Sequence, residues 1–572
     1  MKKLLTLFLV TVMAVASLFT LVGCDDSQGV IYPPSDDPED VIAKTYEKTY
    51  EDGYGGIDLP EYITAFKNGE EVTAFENMTL DFQKHQDTAI RRSIYYQTYV
   101  NRNGTYDVLP GYSIAALNKS EWSTDKKPHT VVYLDVAEDV ISAGVQIKVT
   151  AQAAVSSAQI LPERLNAGTT VNGADVYFTV NQYRPYTLIV NGSYEKPLTV
   201  FVRKPEKVEL PYGWTLFHVG PGVHFFDRSD VAKLFGSGNR TILYLEAGCL
   251  LVPTKTGEFH DMGSFFGYEK EATDLKIIGH GMIDVSKLGF HETLRAVSMA
   301  NITNLEINGL TILNSCNWTM EIRGCNNVRI EDCIIFGYRT NSDGFCMTSS
   351  SNVWLENCFA RSGDDLFEIK AASDNDIENV TFNNCIAWAD ACRCFGIIQE
   401  TRSNIDNVTF SNCSVLYQLS RWAASQRENG KGVETNDCYM AAWVIAAGER
   451  GNITNVTYDN CDINYSMAYA IGLAVGVNKE TEIDFNGNYI DGLTFKNCSF
   501  YDRDGQDMYY GHVRFYNNSF DANGNAMADA IRNVTFENVY LNGTKITSSS
   551  QLSTRYWGNA GNYIYSNFVT FK

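Results

Sequence analysis

From Asn304 to the end of the chain, apolar and polar residues alternate in short runs that recur at intervals. Each run carries Asn or Gly, an aliphatic residue, a variable residue, an apolar residue and a polar residue, and most runs end in Asn-Cys or Asp-Cys. Alternation with a period of two is typical of a β-strand that buries one face, so each run is predicted to form one strand. The runs occupy residues 304–310, 327–333, 352–358, 379–385, 407–413, 455–461, 492–498 and 533–539.

The spacing of these runs predicts how the strands are arranged. They begin 23, 25, 27 and 28 residues apart over the first five copies, and then 48, 37 and 41 residues apart. Repeats of this length with one strand each indicate a coil of stacked rungs rather than a sandwich or a doubly wound sheet. We therefore predict an all-β fold whose larger part is a right-handed parallel β-helix, with longer loops in the later rungs.

Stacked rungs bring equivalent side chains about 4.8 Å apart. The repeat cysteines are therefore expected to form an internal column of small apolar side chains, and the repeat asparagines to form hydrogen-bonded ladders. Disulfides or a metal site are the alternatives, although zinc ligands converge on one point rather than spread along an axis. The column would contain Cys333, Cys358, Cys385, Cys413, Cys461 and Cys498, whereas Cys392 and Cys394 stand outside the repeat.

The chain before the helix divides by composition. Residues 1–24 begin with a basic pair, continue with an apolar stretch and end in Leu-Val-Gly-Cys24, which resembles a bacterial lipoprotein signal peptide with lipidation at the cysteine. A plain signal peptide or a membrane-spanning helix is the alternative. Residues 25–60 are acidic and contain prolines, which predicts a flexible tether. Residues 61–205 alternate without the Asn-Cys unit and predict an antiparallel β-sandwich, followed by the helix over 206–572.

The net charge of the chain disfavours some classes of binding partner. The 46 basic and 68 acidic residues give a formal charge of -22, which disfavours nucleic acid and anionic membrane surfaces because both attract clustered Lys and Arg. The same charge argues against a strongly polyanionic substrate. We expect a monomer on the extracellular face of the bacterial cell envelope, with its membrane contact limited to the lipid anchor at Cys24.

Two short motifs on neighbouring rungs carry the candidate chemistry. Asn341-Ser-Asp343-Gly is followed by Gly363-Asp364-Asp365, and Asp343 and Asp365 are 22 residues apart, close to one rung. Carboxylates that meet in this way cannot all ionise freely, so at least one pKa should rise. Glycoside hydrolysis needs such a set of an acid and a base or nucleophile. The alternative is that these aspartates only cap turns, and adjacent strand residues share a face only at a bend or bulge.

The paired motif resembles the signature of glycoside hydrolase family 28, the polygalacturonases, and of the related family 49, the dextranases. The resemblance extends from about residue 213 to the end of the chain. It implies that Asp364 is the general acid and that Asp343 and Asp365 position and activate water, inverting the anomeric carbon without a metal or other cofactor. It also implies that Lys370 contacts the substrate, and it places Asn341 among the substrate-binding residues.

The sequence departs from the pectin-degrading members of family 28. Those members carry Gly-His-Gly where this chain has Ala391-Cys-Arg-Cys394, and they carry an Arg-Ile-Lys that the stretch 444–450 lacks. The missing histidine and the preceding sandwich are similar to the dextranase family, which acts on neutral α-glucan. We therefore expect an extracellular hydrolase of a neutral, dextran-like polysaccharide. Other candidate groove residues, each of which could equally belong to a solvated turn, are Asp390, Arg393, Glu400 and Arg402.

Three other functions stay open at this point. The first is a polygalacturonase-like pectin hydrolase. The second is a β-helix polysaccharide lyase, which would need calcium and a basic residue to cleave uronic-acid polymers, although the sequence lacks a basic cluster. The third is a non-catalytic surface protein that binds glycans and uses the aspartates only as turn residues.

Overall fold

A computed structural model defines the fold of most of the chain. The described residues are 30–32, 44–57, 65–67, 70–72, 90–117, 126–254, 263–289, 295–419, 441–466, 469–476, 487–501, 512–521, 523–557 and 568–572. The predicted signal peptide and Cys24 lie outside the described residues. Within those residues, no helix has the length and apolar character that crossing a membrane requires.

Three long sheets of stacked strands form a parallel β-helix, which confirms the predicted fold class. The first sheet contains the repeat strands: Val30–Tyr32, Thr215–Val219, Thr241–Leu245, Ala272–Ile278, Ile302–Asn308, Asn326–Glu331, Ser351–Glu356, Ile377–Asn383, Ile405–Ser411, Ile453–Asp459, Ile490–Lys496, Ile531–Glu537 and Val569–Phe571. The second sheet contains Gly222–Phe226, Cys249–Pro253, Met282–Asp284, Thr311–Leu313, Ile334–Phe336, Phe359–Ser362, Ile386–Ala389, Ser414–Gln418, Asp462–Ile463, Ser499–Phe500, Tyr540–Leu541 and Thr544–Lys545.

The third sheet follows the second in each rung and completes the coil. Its strands are Ser264–Tyr268, Arg295–Ala300, Trp318–Arg323, Phe345–Thr348, Phe367–Ala371, Phe395–Thr401, Ala441–Ala447, Tyr469–Val475, Val513–Asn517 and Thr554–Trp557. Inward side chains stack along the coil, and the rings of Phe345 and Phe395 lie 5.0 and 4.8 Å from the ring of Phe367 between them. Such offset aromatic stacks add to the stability that burial already provides.

The repeat residues explain the corners of the coil. Asn327, Asn352 and Asn379 adopt positive φ angles of 57°, 55° and 59°, a left-handed conformation that Asn tolerates better than other non-glycine residues. Their amides form the expected ladder, since Asn379 Nδ2 donates to Asn352 Oδ1 at 2.9 Å. The copy that begins with Gly492 has φ 75° at the same position. The sequence pattern thus selects residues that can turn the backbone at each rung.

The repeat cysteines are buried and form no disulfides, as expected for an internal column. The thiols contact backbone carbonyl oxygens and are not covalently bonded to another sulfur. Cys413 Sγ donates to Phe382 O at 3.4 Å and Cys461 Sγ donates to Phe410 O at 3.3 Å, in both cases in the preceding rung. The small, polarisable cysteine side chain therefore fills the corner of the coil, and its weak S–H donor has an acceptor.

A two-sheet sandwich precedes the helix. One sheet contains Tyr54–Gly55, Ile90–Arg92, Gly111–Leu117, Lys126–Val136, Ala158–Leu161, Pro185–Val190 and Ser193–Arg203; the other contains Tyr96–Arg102, Thr105–Leu109, Val145–Ala151, Thr170–Asn172 and Asp175–Val180. The sandwich strands pair antiparallel as predicted, except that Lys126–Val136 and Ser193–Arg203 pair in parallel. These two strands are distant in sequence, so no hairpin forces them to be antiparallel.

Part of the predicted flexible tether is structured instead. Lys44–Glu47 pairs with Lys207–Leu210, and Val30–Tyr32 pairs antiparallel with Thr215–Val219 at the first rung of the helix. Acidic composition predicts a solvated linker, but the strand Lys207–Leu210 and the first strand of the first helix sheet supply backbone partners. The other described elements are the hairpin Ala65–Lys67 with Glu70–Val72, the α-helices Glu138–Ala143 and Arg228–Phe235, and the 3-10 helices Glu163–Leu165 and Ser549–Gln551.

The sandwich packs directly on the second sheet of the helix. Tyr133 and Phe201 of the sandwich share one buried cluster with Phe336, Phe359 and Trp388 of the helix. The ring of Phe201 contacts the ring of Phe359 edge to face, with centroids 5.2 Å apart. Burial of several aromatic side chains at the seam joins the two parts into one rigid unit.

Candidate active site

Three successive turns join the second sheet to the third sheet and carry the predicted aspartates. The first turn covers 337–344, the second 363–366 and the third 390–394. Two glycines let these turns approach each other, since a Cβ at Gly344 would lie 2.3 Å from Leu366 O and one at Gly363 would lie 2.3 Å from Arg339 O. Only glycine fits at such distances. The motifs therefore bring acidic residues from neighbouring rungs together, as their spacing predicts.

Asp343 lies in the first turn and is 3% exposed. Its Oδ2 accepts a hydrogen bond from Lys370 Nζ at 3.1 Å, while its Oδ1 has no partner among the described residues. Burial raises the pKa of Asp343 well above its ordinary value, although Lys370 opposes the shift and Glu368 adds to it. Asp343 thus has one oxygen that is bound by Lys370 and one that has no hydrogen-bond partner among the described residues.

Asp365 lies in the second turn and is also 3% exposed. Its Oδ1 forms an ion pair with Arg393 Nε at 2.5 Å and accepts a hydrogen bond from Arg393 N at 3.3 Å. Burial raises the pKa of Asp365 to about 8, against the effect of Arg393 and with that of Asp364. Burial and the Arg393 ion pair therefore act on the protonation of Asp365 in opposite directions.

Asp364 is half-buried and is the most accessible of the three. Its Oδ2 accepts a hydrogen bond from Asn341 N at 3.2 Å, and its Oδ1 accepts one from Asp365 N at 3.0 Å. Asn341 has φ 58°, which directs its amide towards the second turn. Because Asp364 and Asp365 lie in a turn and not in a strand, the pleat does not force them onto opposite faces.

Lys370 lies behind the aspartates with two residues that the sequence reasoning missed. Its Nζ is 3.0 Å from Glu368 Oε1 and 4.1 Å from the centre of the Trp318 ring. Burial lowers the pKa of Lys370, but Glu368, Asp343 and Glu400 together raise it well above its ordinary value. Glu368 could have been found from the sequence, because residues two apart on a strand share a face. Trp318 offers no comparable local signal.

The weaker groove candidates separate into three groups. Arg393 joins the cluster through its ion pair with Asp365. The negative charge of Glu400 raises the pKa of Lys370 and that of Glu368. Arg402 lies apart from the cluster, half-exposed, with its Nε 3.3 Å from Glu449 Oε2. Exposure of that kind lets its charge interact mainly with solvent.

The prediction that Asp390 lines the groove is wrong. Asp390 is fully buried beneath the sandwich and forms a two-pronged ion pair with Arg361, with distances of 2.7 and 3.0 Å. An aspartate in a turn can face either solvent or a neighbouring part of the protein. Here the sandwich covers this turn, so Asp390 faces the protein interior. Asp390 has no route to a substrate.

Two groups of side chains place possible metal-ligating atoms within 4.8 Å of one another: Asp343 with Cys346 and Glu368, and Asp364 with Asp365 and Cys392. Cations of the protein already occupy both positions. Lys370 pairs with the first group, and Arg393 pairs with Asp365 in the second. The donor sets are therefore compensated by side-chain charge.

The fold and the site together define a parallel β-helix protein with coupled carboxylates on neighbouring turns. Residues 285–499, which include all three aspartates, match the sequence model of the family described as Glycosyl hydrolases family 28. The match covers less than half of the chain, and within those residues the protein is similar to that family. No curated protein matches the chain.

Several solved structures are similar to this chain at low identity. An exopolygalacturonase from Thermotoga maritima is 14% identical, with 55% of this chain and 87% of that chain covered and a TM-score of 0.37. An endo-xylogalacturonan hydrolase from Aspergillus tubingensis is 15% identical, with coverages of 61% and 92% and a TM-score of 0.43. The catalytic unit of a GH87 alpha-1,3-glucanase from Streptomyces thermodiastaticus is 11% identical, with 96% of both chains covered and a TM-score of 0.32.

Proposed function

We propose that this protein is an extracellular, inverting glycoside hydrolase that cleaves a neutral polysaccharide and uses no metal. The observation that carries the proposal is the set of Asp343, Asp364 and Asp365 on two adjacent turns, with two buried members and one accessible member. Burial raises the pKa of both Asp343 and Asp365. A coupled set of this kind holds protons and charge together near neutral pH, as acid and base catalysis of glycoside cleavage requires.

The geometry supports a division of roles within the set. Asp364 is the accessible carboxyl and donates a proton to the glycosidic oxygen. Asp343 accepts a proton from the attacking water through Oδ1, a buried atom without a hydrogen-bond partner among the described residues, while Lys370 binds its other oxygen. Asp365, fixed by Arg393, orients that water. These roles agree with those that the resemblance to family 28 implies.

Charge in the described part of the site favours a neutral substrate. The acidic side chains Asp343, Asp364, Asp365 and Glu368 outnumber the cations Lys370, Arg393 and Arg339, and Lys370 and Arg393 already pair with carboxylates. A uronic acid would therefore bring a carboxylate into a net negative field, in which only Arg339 of the three has no carboxylate partner among the described residues. A neutral α-glucan carries no such penalty.

The test is hydrolysis of a glycan panel by the purified chain and by Asp364→Asn. We expect reducing ends from dextran or another neutral α-glucan, products of inverted anomeric configuration by proton NMR, and no products from the variant. Activity on polygalacturonate alone would replace the neutral-substrate proposal with a pectin hydrolase. Unsaturated products that absorb ultraviolet light and vanish with chelator would identify a lyase, and binding without products would identify a glycan-binding protein.

We further propose that the mature chain is anchored to the cell envelope through a lipid on Cys24 and works as a monomer. The support is the Leu-Val-Gly-Cys sequence after an apolar stretch. Labelling of cells with a radioactive fatty acid tests the anchor. The wild-type chain should take up the label and Cys24→Ser should not; equal labelling of both would refute the assignment.

A further inference from the structure

A buried network of three charged or polar side chains joins the sandwich to the turns of the active site. His129 lies on the sandwich strand Lys126–Val136, Arg361 on the helix strand Phe359–Ser362, and Asp390 opens the third turn. All three are 0% exposed. Arg361 donates from Nε and Nη2 to the two oxygens of Asp390 at 2.7 and 3.0 Å, and its Nη1 lies 2.9 Å from His129 Nδ1.

The protonation of this network follows from its chemistry. Burial lowers the pKa of His129 well below its ordinary value, and the nearby Arg361 lowers it further. Because arginine can only donate, Nδ1 of the neutral imidazole accepts from Arg361, and Nε2–H donates to Thr199 Oγ1 at 2.8 Å. Trp388 adds a donor to Asp390 Oδ1 at 3.3 Å. Each nitrogen of the Arg361 guanidinium and each oxygen of Asp390 thus has a partner, which favours a single geometry for the buried network.

Each of the three turns has its own contact with the sandwich. Tyr338 of the first turn and Ala391 of the third turn belong to the hydrophobic cluster of the sandwich core. For the second turn the contact is made next to it, because Arg361 lies on the strand Phe359–Ser362, two residues before Gly363. Asp390 is three residues before Arg393, whose side chain and backbone both hold Asp365. Displacement of the third turn would therefore move the partner of one proposed catalytic carboxylate.

We propose that the sandwich is part of the catalytic apparatus, because the network of His129, Arg361 and Asp390 holds the third turn, and through Arg393 the Asp365 carboxylate, in its working position. The three residues are positioning residues, since none can touch a substrate. This inference rests on the proposed hydrolase function. It assigns a role to a domain that would otherwise be a passive neighbour of the helix.

The chain offers a matched control elsewhere at the same seam. Asp135 of the sandwich pairs with Arg203 at 2.8 Å and with His280 of the helix at 3.1 Å, and it is fully buried. This second network has the same three residue types but lies on an early rung, away from the three turns. Disruption of either network should destabilise the seam, and only one of them should disturb the site.

The experiment compares Asp390→Asn with Asp135→Asn by two measurements. The first is kcat and KM on the glycan that the wild type cleaves. The second is alkylation of Cys392 by iodoacetamide, followed by peptide mass spectrometry with Cys461 as the internal reference. Cys392 is 4% exposed beside Asp364 and Asp365, and burial raises the pKa of its thiol well above the ordinary value, so it should react only when the third turn opens.

For Asp390→Asn we expect kcat to fall on the order of 10²-fold with little change in KM, since small misplacements of catalytic groups have that effect. Cys392 should be alkylated faster than in the wild type while Cys461 is unchanged. Asp135→Asn should lower the melting temperature but leave kcat and Cys392 alkylation at wild-type values. If Asp390→Asn does not fold, Arg361→Lys keeps the charge without the fork and is judged by the same measurements.

Two outcomes would overturn the inference. One is a variant of the first network with wild-type kcat and wild-type alkylation of Cys392. The other is an equal loss of kcat in Asp135→Asn, which would show a general effect of seam stability. Failure of the wild type to cleave any glycan would instead refute the proposed function, and the alkylation of Cys392 would still decide whether the network holds the turn.

Discussion

Replacement of Lys370 by Met removes the cation between Asp343 and Glu368. Its Nζ lies 3.1 Å from Asp343 Oδ2 and 3.0 Å from Glu368 Oε1, and the side chain is 5% exposed. At an effective dielectric constant near 20, a pair of unit charges at that separation interacts by about 5 kcal/mol. Lys370 is therefore the main influence that opposes the effect of burial on the pKa of Asp343.

Loss of this cation should raise the pKa of Asp343 further, and Asp343 must be ionised to accept a proton from water. The acidic limb of the pH profile of kcat/KM should therefore move to higher pH in Lys370→Met. We expect a movement of at least about one pH unit, since one unit corresponds to only about 1.4 kcal/mol. Activity near pH 5 should be lost first, with partial recovery at higher pH.

The assay is reducing-end release from the accepted glycan between pH 4 and pH 10, with Lys370→Arg as the control that retains the charge. Thermal unfolding is measured in parallel, because removing one partner of a buried ion pair destabilises a protein by roughly 3–5 kcal/mol. An unmoved acidic limb in a folded Lys370→Met variant would refute the role of Asp343 as base. An equal movement in Lys370→Arg would show that shape matters rather than charge.

Three further changes test the site and its turns. Asp364→Asn should lower kcat roughly 10²–10⁴-fold with an unchanged melting temperature, measured by product release and circular dichroism; retention of wild-type kcat would contradict the acid assignment. Burial raises the pKa of Asp365 to about 8 in the folded state, so the free energy of unfolding of the wild type should fall as pH rises from about 4 towards 8. This fall is at most about 1.4 kcal/mol per pH unit in denaturant titrations, and Asp365→Asn should lack it. The same pH dependence in both proteins would contradict the raised pKa of Asp365. Gly363→Ala should destabilise the fold by about 1–3 kcal/mol, because its Cβ would lie 2.3 Å from Arg339 O; an unchanged unfolding midpoint would show that the turns can separate.

Local pattern predicted the features of this protein that depend on the repeat. Alternation and spacing indicated stacked strands, and the asparagines at each corner adopt the left-handed conformation that such corners need. The same logic placed Asp343 and Asp365 on adjacent turns, because 22 residues are about one rung. These predictions succeed since each rung is determined by its own sequence and its two neighbours.

Contacts between distant parts of the chain could not be predicted from the sequence pattern. His129 and Arg361 are 232 residues apart, and no periodicity links them. Asp390 was therefore assigned to the groove although it faces the seam. Similarly, the composition of Lys44–Glu47 predicts a linker, yet this segment forms a two-stranded antiparallel sheet with the distant segment Lys207–Leu210. Docking surfaces of this kind depend on the shapes of both partners, which composition does not describe.

The short strand Val30–Tyr32 has a consequence for how the molecule behaves beside other copies of itself. A solenoid begins with a coil whose outward amide and carbonyl groups lack a neighbour, and such an end can add a strand from another molecule. Here the chain folds back and lays its own early segment, in the opposite direction, along Thr215–Val219. The edge of the first sheet is thereby reduced to a three-residue strand of opposite direction, which is a poor template for a further parallel strand and disfavours growth of this sheet at that end.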